Sequence, residues 1–119
     1  EPIGLISPKG ESEDLQTLRG RKVLALSGIA NPDYFSFLLR RCGMEIGKES
    51  IFPDHHFYTK RDLTCIEESS KGMDRIVTTE KDMLKLQRLG IGHLPMRALR
   101  IEMKIWQEKE FFKRIISLF

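Results

Sequence analysis

The stretch KVLALSGIANPDYFSFLLRRCG (residues 22–43) contains a predicted strand, a loop and a helix in succession. Its first six residues form a largely apolar run, which is typical of a strand buried on both faces of a parallel sheet. After GIANP (28–32), apolar residues recur at helical spacing, with Asn31 as the predicted N-cap and Pro32 at the first helical position. Gly43 is predicted to end the helix. The stretch therefore predicts one β-α unit.

The same alternation continues to the end of the chain. Further strands are predicted within 44–52, at 75–79 and around 96–103, and further helices at about 59–72, 80–90 and Trp106–Leu118. Four residues after the third strand are predicted to face the core, namely Met83, Leu84, Leu86 and Leu89. Strands that alternate with helices predict an α/β fold, a three-layer sandwich with a mainly parallel, Rossmann-like sheet of about four strands.

The beginning of the chain has a different composition. Residues 1–20 include an acidic, glycine-containing segment that is more typical of an interdomain linker than of a natural start. We therefore expect residues 1–20 to be a linker from a missing amino-terminal domain, and residues 21–119 to be a carboxyl-terminal α/β domain.

The overall composition excludes several classes of protein. The chain has 119 residues, 40% of them hydrophobic, and its 20 basic and 17 acidic residues give a net charge of only +3. The basic residues are scattered, so no nucleic-acid partner is predicted. Cys42 and Cys65 are interpreted as small core residues in a reducing, cytoplasmic setting, and no apolar run approaches the length of about 20 residues that a membrane span needs.

Three strand-to-helix junctions carry the candidate functional residues. They are GIANP (28–32), PDHHFYT (53–59) and TTEKD (78–82). The carboxyl ends of parallel strands lie at one edge of a sheet, and ligands of such sheets bind outside that edge. We therefore expect these three segments to converge.

The histidine pair in the second junction is the strongest candidate. Histidine accepts a proton near neutral pH and a neighbouring carboxylate can fix its tautomer, so Asp54, His55 and His56 could supply a general base or the partner of one. An exposed turn with solvated histidines is the alternative. Neighbouring residues of an extended segment point apart, so the two histidines are not expected to share a role.

Metal and anion sites are weaker interpretations of the same junctions. A closed metal site needs three or more ligands, whereas His93 is expected at the opposite edge and Asp33 and Asp82 resemble ordinary acids of a first helical turn. Lys81 is the one residue of TTEKD that capping does not require, and it could meet a phosphate or an acid of another domain. Free amides in GIANP could receive an anion, although the glycine could equally serve only the turn.

The three junctions in this order resemble a known family. LALSGIANPDYFSFLLRRCG, IFPDHHFYT and IVTTEKDMLKL are similar to the GI.NP, F.DH and TEKD segments of the carboxyl-terminal domain of tetraacyldisaccharide 4'-kinase, the lipid A 4'-kinase of Gram-negative bacteria. The resemblance is detailed over residues 20–90. It implies a kinase that transfers phosphate from ATP, with magnesium, to the 4'-hydroxyl of a lipid disaccharide at the cytoplasmic face of the inner membrane.

The resemblance also implies that the functional residues are divided between two domains. In the family, the phosphate-binding loop and the magnesium ligands belong to a preceding amino-terminal kinase domain, and no GxxxxGK[ST] loop occurs in this sequence. ATP and magnesium are therefore expected in the parent enzyme, with none bound by this chain alone. His55 matches the family histidine that approaches an aspartate across the interdomain cleft, and His56 is not required by the pattern.

Two alternatives remain at this point. One is a metal-dependent phosphoesterase fragment with an Asp-His-His motif, which would need further acidic ligands on preceding strands. The other is a non-catalytic α/β binding module.

Overall fold

The computed structural model describes residues 1–102, which form six strands, three α-helices and one 3-10 helix. In chain order the elements are β1 (Pro2–Ile6), β2 (Ser12–Glu13), the 3-10 helix (Leu15–Leu18), β3 (Lys22–Ser27), α1 (Pro32–Arg41), β4 (Glu45–Ile51), α2 (Lys60–Ser69), β5 (Arg75–Thr79), α3 (Glu80–Gln87) and β6 (Met96–Ile101). The predicted helix Trp106–Leu118 lies outside the described residues.

The strands form one mixed sheet in the order β2-β1-β6-β5-β3-β4. β3 pairs in parallel with β4 and β5, and β5 pairs in parallel with β6. These four parallel strands are the predicted ones, so the α/β fold is confirmed. The two additional strands pair antiparallel at one edge of the sheet.

Helices cover both faces of the sheet, as the apolar run of β3 predicts. Val23 and Ala25 of this strand join the core cluster beneath α1 and the 3-10 helix. Leu24 and Leu26 join the cluster beneath α2 and α3. Because successive side chains of a strand point to opposite faces, a strand that lies between two helical layers must be apolar at every central position.

Residues 1–20 are folded against the sheet, where they form β1, β2 and the 3-10 helix. Leu5 is buried in β1 and lies opposite Leu99 of β6. The 3-10 helix that follows is capped by Asp14, whose carboxylate accepts a hydrogen bond from the Gln16 amide. The strand pattern of β1 is only five residues long and is obscured by Pro2 and Gly4. Its partner β6 lies almost one hundred positions away, so the local sequence gives little sign that residues 2–6 form a strand.

The helix termini follow the predicted chemistry. The Asn31 side chain accepts a hydrogen bond from the Tyr34 amide at 3.1 Å, with Pro32 as the first residue of α1. Thr59 and Asp62 form a reciprocal capping box at the start of α2. These local contacts set where each helix leaves the sheet edge, and they therefore position the loops that precede the helices.

Two predictions about the core are wrong. Leu84 is 70% exposed, because α3 is only eight residues long and buries the face that carries Met83 and Leu86. Cys65 is exposed on α2, and Cys42 is half-buried at the end of α1. Residue type alone suggested burial for these side chains, but the orientation of each helix determines it.

Candidate functional site

The three predicted junctions converge at the carboxyl edge of the parallel strands. The Phe52 amide donates to the Ser27 carbonyl at 2.8 Å, which joins the end of β4 to the end of β3. The Gly28 amide donates to Asp82 Oδ2 at 3.1 Å, which joins the end of β3 to the start of α3. We call residues 28–31, 52–59 and 79–82 together the rim.

Asp82 is the centre of the rim. Its carboxylate is fully buried and accepts hydrogen bonds from the Gly28 amide, from the Tyr58 hydroxyl at 3.0 Å and from the Thr79 hydroxyl at 2.7 Å. Gly28 and Tyr58 follow β3 and β4, and Thr79 is the last residue of β5. From sequence alone Asp82 resembles an ordinary first-turn acid, and the Thr79 hydroxyl does cap α3 by accepting from the Asp82 amide.

Tyr58 is the second buried member of this network. Burial, and then the negative charge of Asp82 and the hydrogen bond to it, raise the pKa of the Tyr58 hydroxyl far above its usual value. The hydroxyl therefore stays protonated and remains a donor. Sequence reasoning missed this role because a tyrosine beside two histidines in a loop gives no sign of burial.

Gly28 is required by the close approach of the other two loops. A Cβ atom at this position would lie 2.9 Å from the Tyr58 hydroxyl and 3.3 Å from both the Pro53 carbonyl oxygen and an Asp82 carboxylate oxygen. Its amide is already bonded to Asp82. This amide is therefore not free to bind an anion, because the buried Asp82 carboxylate accepts its hydrogen bond.

His56 is half-buried and lies against the start of α2. Its Nε2 lies 2.9 Å from Asp62 Oδ2, and its ring stacks on Phe52 with the centroids 4.7 Å apart. The Tyr58 ring meets it edge-on at a centroid distance of 5.0 Å. These contacts involve one nitrogen and two aromatic neighbours of the imidazole, so His56 is held as a structural part of the turn.

His55 points outward from the same turn. Its side chain is 78% exposed, and its Nε2 lies 3.5 Å from an Asp54 carboxylate oxygen. Its backbone has a φ of 61°, in the left-handed region that non-glycine residues rarely adopt. The two adjacent histidines therefore face different surroundings, and the His55 side chain is the far more exposed of the two, at 78% against 24%.

Two basic residues, Lys85 in α3 and Arg88 directly after it, contact the histidine segment. Arg88 donates to the Tyr58 carbonyl at 2.8 Å and lies over the ring of Phe57, 4.0 Å from its centroid. The Lys85 ammonium lies 3.4 Å from the His56 carbonyl. Neither residue is predicted from the sequence. The predicted Lys81 is half-buried and forms no hydrogen bond or ion pair with residues 1–102.

Asp62 makes the free energy of unfolding of the chain dependent on pH. Hydrogen bonds from the His56 ring and from the Thr59 amide hold the pKa of the Asp62 carboxyl below its usual value. Because the pKa is lower in the folded state, the ionised carboxylate stabilises the folded protein. This contribution is complete above the unfolded-state pKa of about 3.9 and is lost as the pH falls through the lower folded-state pKa.

We expect the free energy of unfolding of wild type to exceed that of Asp62→Asn by a constant amount above about pH 5, and the difference to shrink below about pH 4. Urea titrations of both chains at a series of pH values measure it. A difference that stays constant or grows as pH falls would contradict this account of Asp62.

The acidic and histidine side chains do not assemble into a metal site in the part of the chain that the structure describes. Residues 1–102 contain no group of three or more histidine, cysteine, aspartate or glutamate side chains that could hold an ion. His93 is paired instead with Glu67 at 3.4 Å, before the amino-terminal end of β6. A phosphoesterase centred on Asp54 and His55 would need further ligands, and these residues do not provide them.

Comparison with known proteins finds the same family that the three rim segments resemble. A family model described as tetraacyldisaccharide-1-phosphate 4'-kinase, LpxK, matches residues 5–119. The chain belongs to the tetraacyldisaccharide 4'-kinase family. A tetraacyldisaccharide 4'-kinase of Syntrophus aciditrophicus is 38% identical over 121 residues, covering 99% of this chain and 32% of that protein. One of Geobacter sulfurreducens is 38% identical over 97 residues, covering 82% and 28%.

The fold agrees with a solved member of the tetraacyldisaccharide 4'-kinase family. The crystal structure of LpxK from Aquifex aeolicus, in complex with ATP, matches with a TM-score of 0.63 and 27% identity, covering 100% of this chain and 34% of that one. The chain thus spans about a third of the length of these relatives. Within residues 1–102, no helix has the length and apolar character needed to cross a membrane.

Proposed function

We propose that this chain is the carboxyl-terminal domain of a lipid A 4'-kinase. The complete enzyme transfers the γ-phosphate of ATP to the 4'-hydroxyl of a tetraacyldisaccharide 1-phosphate, and His55 is this domain's contribution to an active site between two domains. The observation that carries the proposal is the turn that exposes the His55 ring while it holds the half-buried His56 against Asp62. The membership of the family supplies the reaction.

The residues of this chain do not fit the triphosphate or its magnesium ion. The sequence has no GxxxxGK[ST] loop, and Asp82 already takes the Gly28 amide at the end of β3. We assign ATP and magnesium to a domain that precedes this one in the polypeptide. This chain then offers positioning and proton chemistry rather than phosphate binding.

His55 is suited to orienting a base. A sugar hydroxyl attacks more readily when its proton passes to a carboxylate, and an imidazole hydrogen-bonded to that carboxylate fixes its direction. Asp54, 3.5 Å from His55 Nε2, is placed to hold the other side of the imidazole. We assign the carboxylate that accepts the proton to the preceding domain, and Lys81 to a contact with an acid or phosphate across the same cleft.

The partners and location follow from the same proposal. The domain faces the preceding kinase domain and the lipid disaccharide, and the complete enzyme works in the cytoplasm at the inner-membrane surface. No nucleic acid takes part, in keeping with a net charge of only +3.

Two measurements test the proposal. The coding sequence immediately upstream of Glu1 is expected to encode an α/β domain that opens with a GxxxxGK[ST] loop. The complete gene product, incubated with γ-labelled ATP, magnesium and tetraacyldisaccharide 1-phosphate, is expected to label the lipid, and a 4'-deoxy analogue is the matched control. An initiation codon directly before Glu1, or equal labelling of the analogue, would contradict it.

A further inference from the structure

We propose that the buried Asp82 carboxylate is a positioning residue, which acts through Tyr58 to fix the segment that carries His55 against the ends of β3 and β5. The inference rests on the proposed function, because it takes His55 as the group that acts in the reaction. It assigns a role to the TEKD segment beyond capping a helix.

The first support is the origin of the three donors to Asp82. Gly28 follows β3, Tyr58 lies in the segment after β4, and Thr79 ends β5. A helix cap requires only the bond between the Thr79 hydroxyl and the Asp82 amide. The bonds from the Gly28 amide and the Tyr58 hydroxyl do not cap α3, and each joins the start of α3 to a loop that follows another strand.

The second support is the electrostatic cost of the arrangement. Asp82 is fully buried, and in the described range 1–102 no lysine, arginine or histidine forms an ion pair with it. Removing a carboxylate from water is unfavourable unless hydrogen bonds compensate it. An apolar side chain at the same place would avoid this cost but could not hold three loops at defined distances.

The third support is the short path from Tyr58 to His55. The histidine segment is anchored at Phe52, whose amide donates to the Ser27 carbonyl, and again at Tyr58, whose hydroxyl donates to Asp82. Between these anchors the His56 amide donates to the Pro53 carbonyl at 3.1 Å, and the His56 ring contacts the rings of Phe52 and Tyr58, which also contact each other. His55 lies inside this closed turn, so a shift of Tyr58 moves His55.

A double-mutant cycle in the complete gene product tests the inference. Tyr58→Phe keeps the buried ring and removes the hydrogen bond to Asp82. We expect it to lower kcat for phosphate transfer about tenfold while the KM for ATP stays unchanged, because a displacement of about 1 Å costs up to a hundredfold and one lost bond permits part of that shift. In a His55→Ala background, we expect the same change to have no further effect on kcat.

A second variant and a control keep the result interpretable. Gly28→Ala places a methyl group 2.9 Å from the Tyr58 hydroxyl and disturbs the same contact from the other side, so it should show the same coupling to His55. Ser36→Ala removes another hydroxyl-to-carboxylate bond, the 2.6 Å bond to Glu49, which lies outside the rim. The control should lower the melting temperature without lowering kcat.

The contrary outcomes are distinct. If Tyr58→Phe and Gly28→Ala lower kcat by the same factor with and without His55, or leave kcat unchanged, Asp82 does not act through His55 and the inference fails while the proposed function stands. If His55→Ala by itself retains full turnover, the proposed role of His55 fails and the inference falls with it.

Discussion

Replacing His55 by alanine in the complete gene product is expected to lower kcat about a hundredfold or more, because the loss of one member of a general-base pair removes that much acceleration. The side chain is 78% exposed, so its removal leaves the packing of the domain unchanged. Steady-state transfer of labelled phosphate to the tetraacyldisaccharide measures the effect, and an unchanged melting temperature shows that the fold is intact.

The neighbouring histidine provides a matched control. His56→Ala removes a ring that packs on Phe52 and Tyr58, so it should lower the melting temperature and reduce kcat much less than His55→Ala does. His56→Gln retains an amide that can donate to Asp62 and should recover part of the stability. An equal loss of turnover at both histidines, or no loss at either, would refute the assignment of the reaction to His55.

Replacing Asp82 by alanine is expected to lower the free energy of unfolding of the chain by roughly 3 kcal/mol. The change leaves three buried donors without an acceptor, at about 1–3 kcal/mol each, and this cost is offset by relief from burying a carboxylate. The donors are the Gly28 amide and the hydroxyls of Tyr58 and Thr79. Urea titration followed by circular dichroism measures the difference.

Asp33 is the matched control for this prediction. It stands in the first turn of α1 as Asp82 stands in the first turn of α3, but it is exposed. Asp33→Ala should therefore cost no more than about 1 kcal/mol, the usual contribution of an acid near a helix N-terminus. Similar losses for the two variants would show that Asp82 contributes only as a first-turn acid and not through the three loops.

Much of the fold could be predicted because its signals are local. The apolar run of β3, the Asn31-Pro32 start of α1 and the capping box of Thr59 and Asp62 each lie within a few consecutive residues, and the structure confirms all three. Parallel pairing then follows from the alternation of strands and helices. The convergence of the rim follows in turn, since parallel strands end at one edge.

The errors share a physical cause, which is that they depend on partners distant in sequence. β1 forms a strand because β6 offers an edge to pair with, and Leu5 is buried opposite Leu99. Leu84 is exposed because α3 turns its other face to the sheet. A pattern of residue types within a few positions cannot reveal which edge or which face is available.

The sequence by itself determined the α/β fold, the order of the three rim segments and the family, because caps, turns and apolar runs are local and the motifs occur in a specific order. Only the tertiary structure decided that His55 faces outward while His56 is fixed, and that Asp82 joins three loops from the interior. Both facts depend on burial. The burial of a loop side chain is set by the packing of segments that are far apart along the chain.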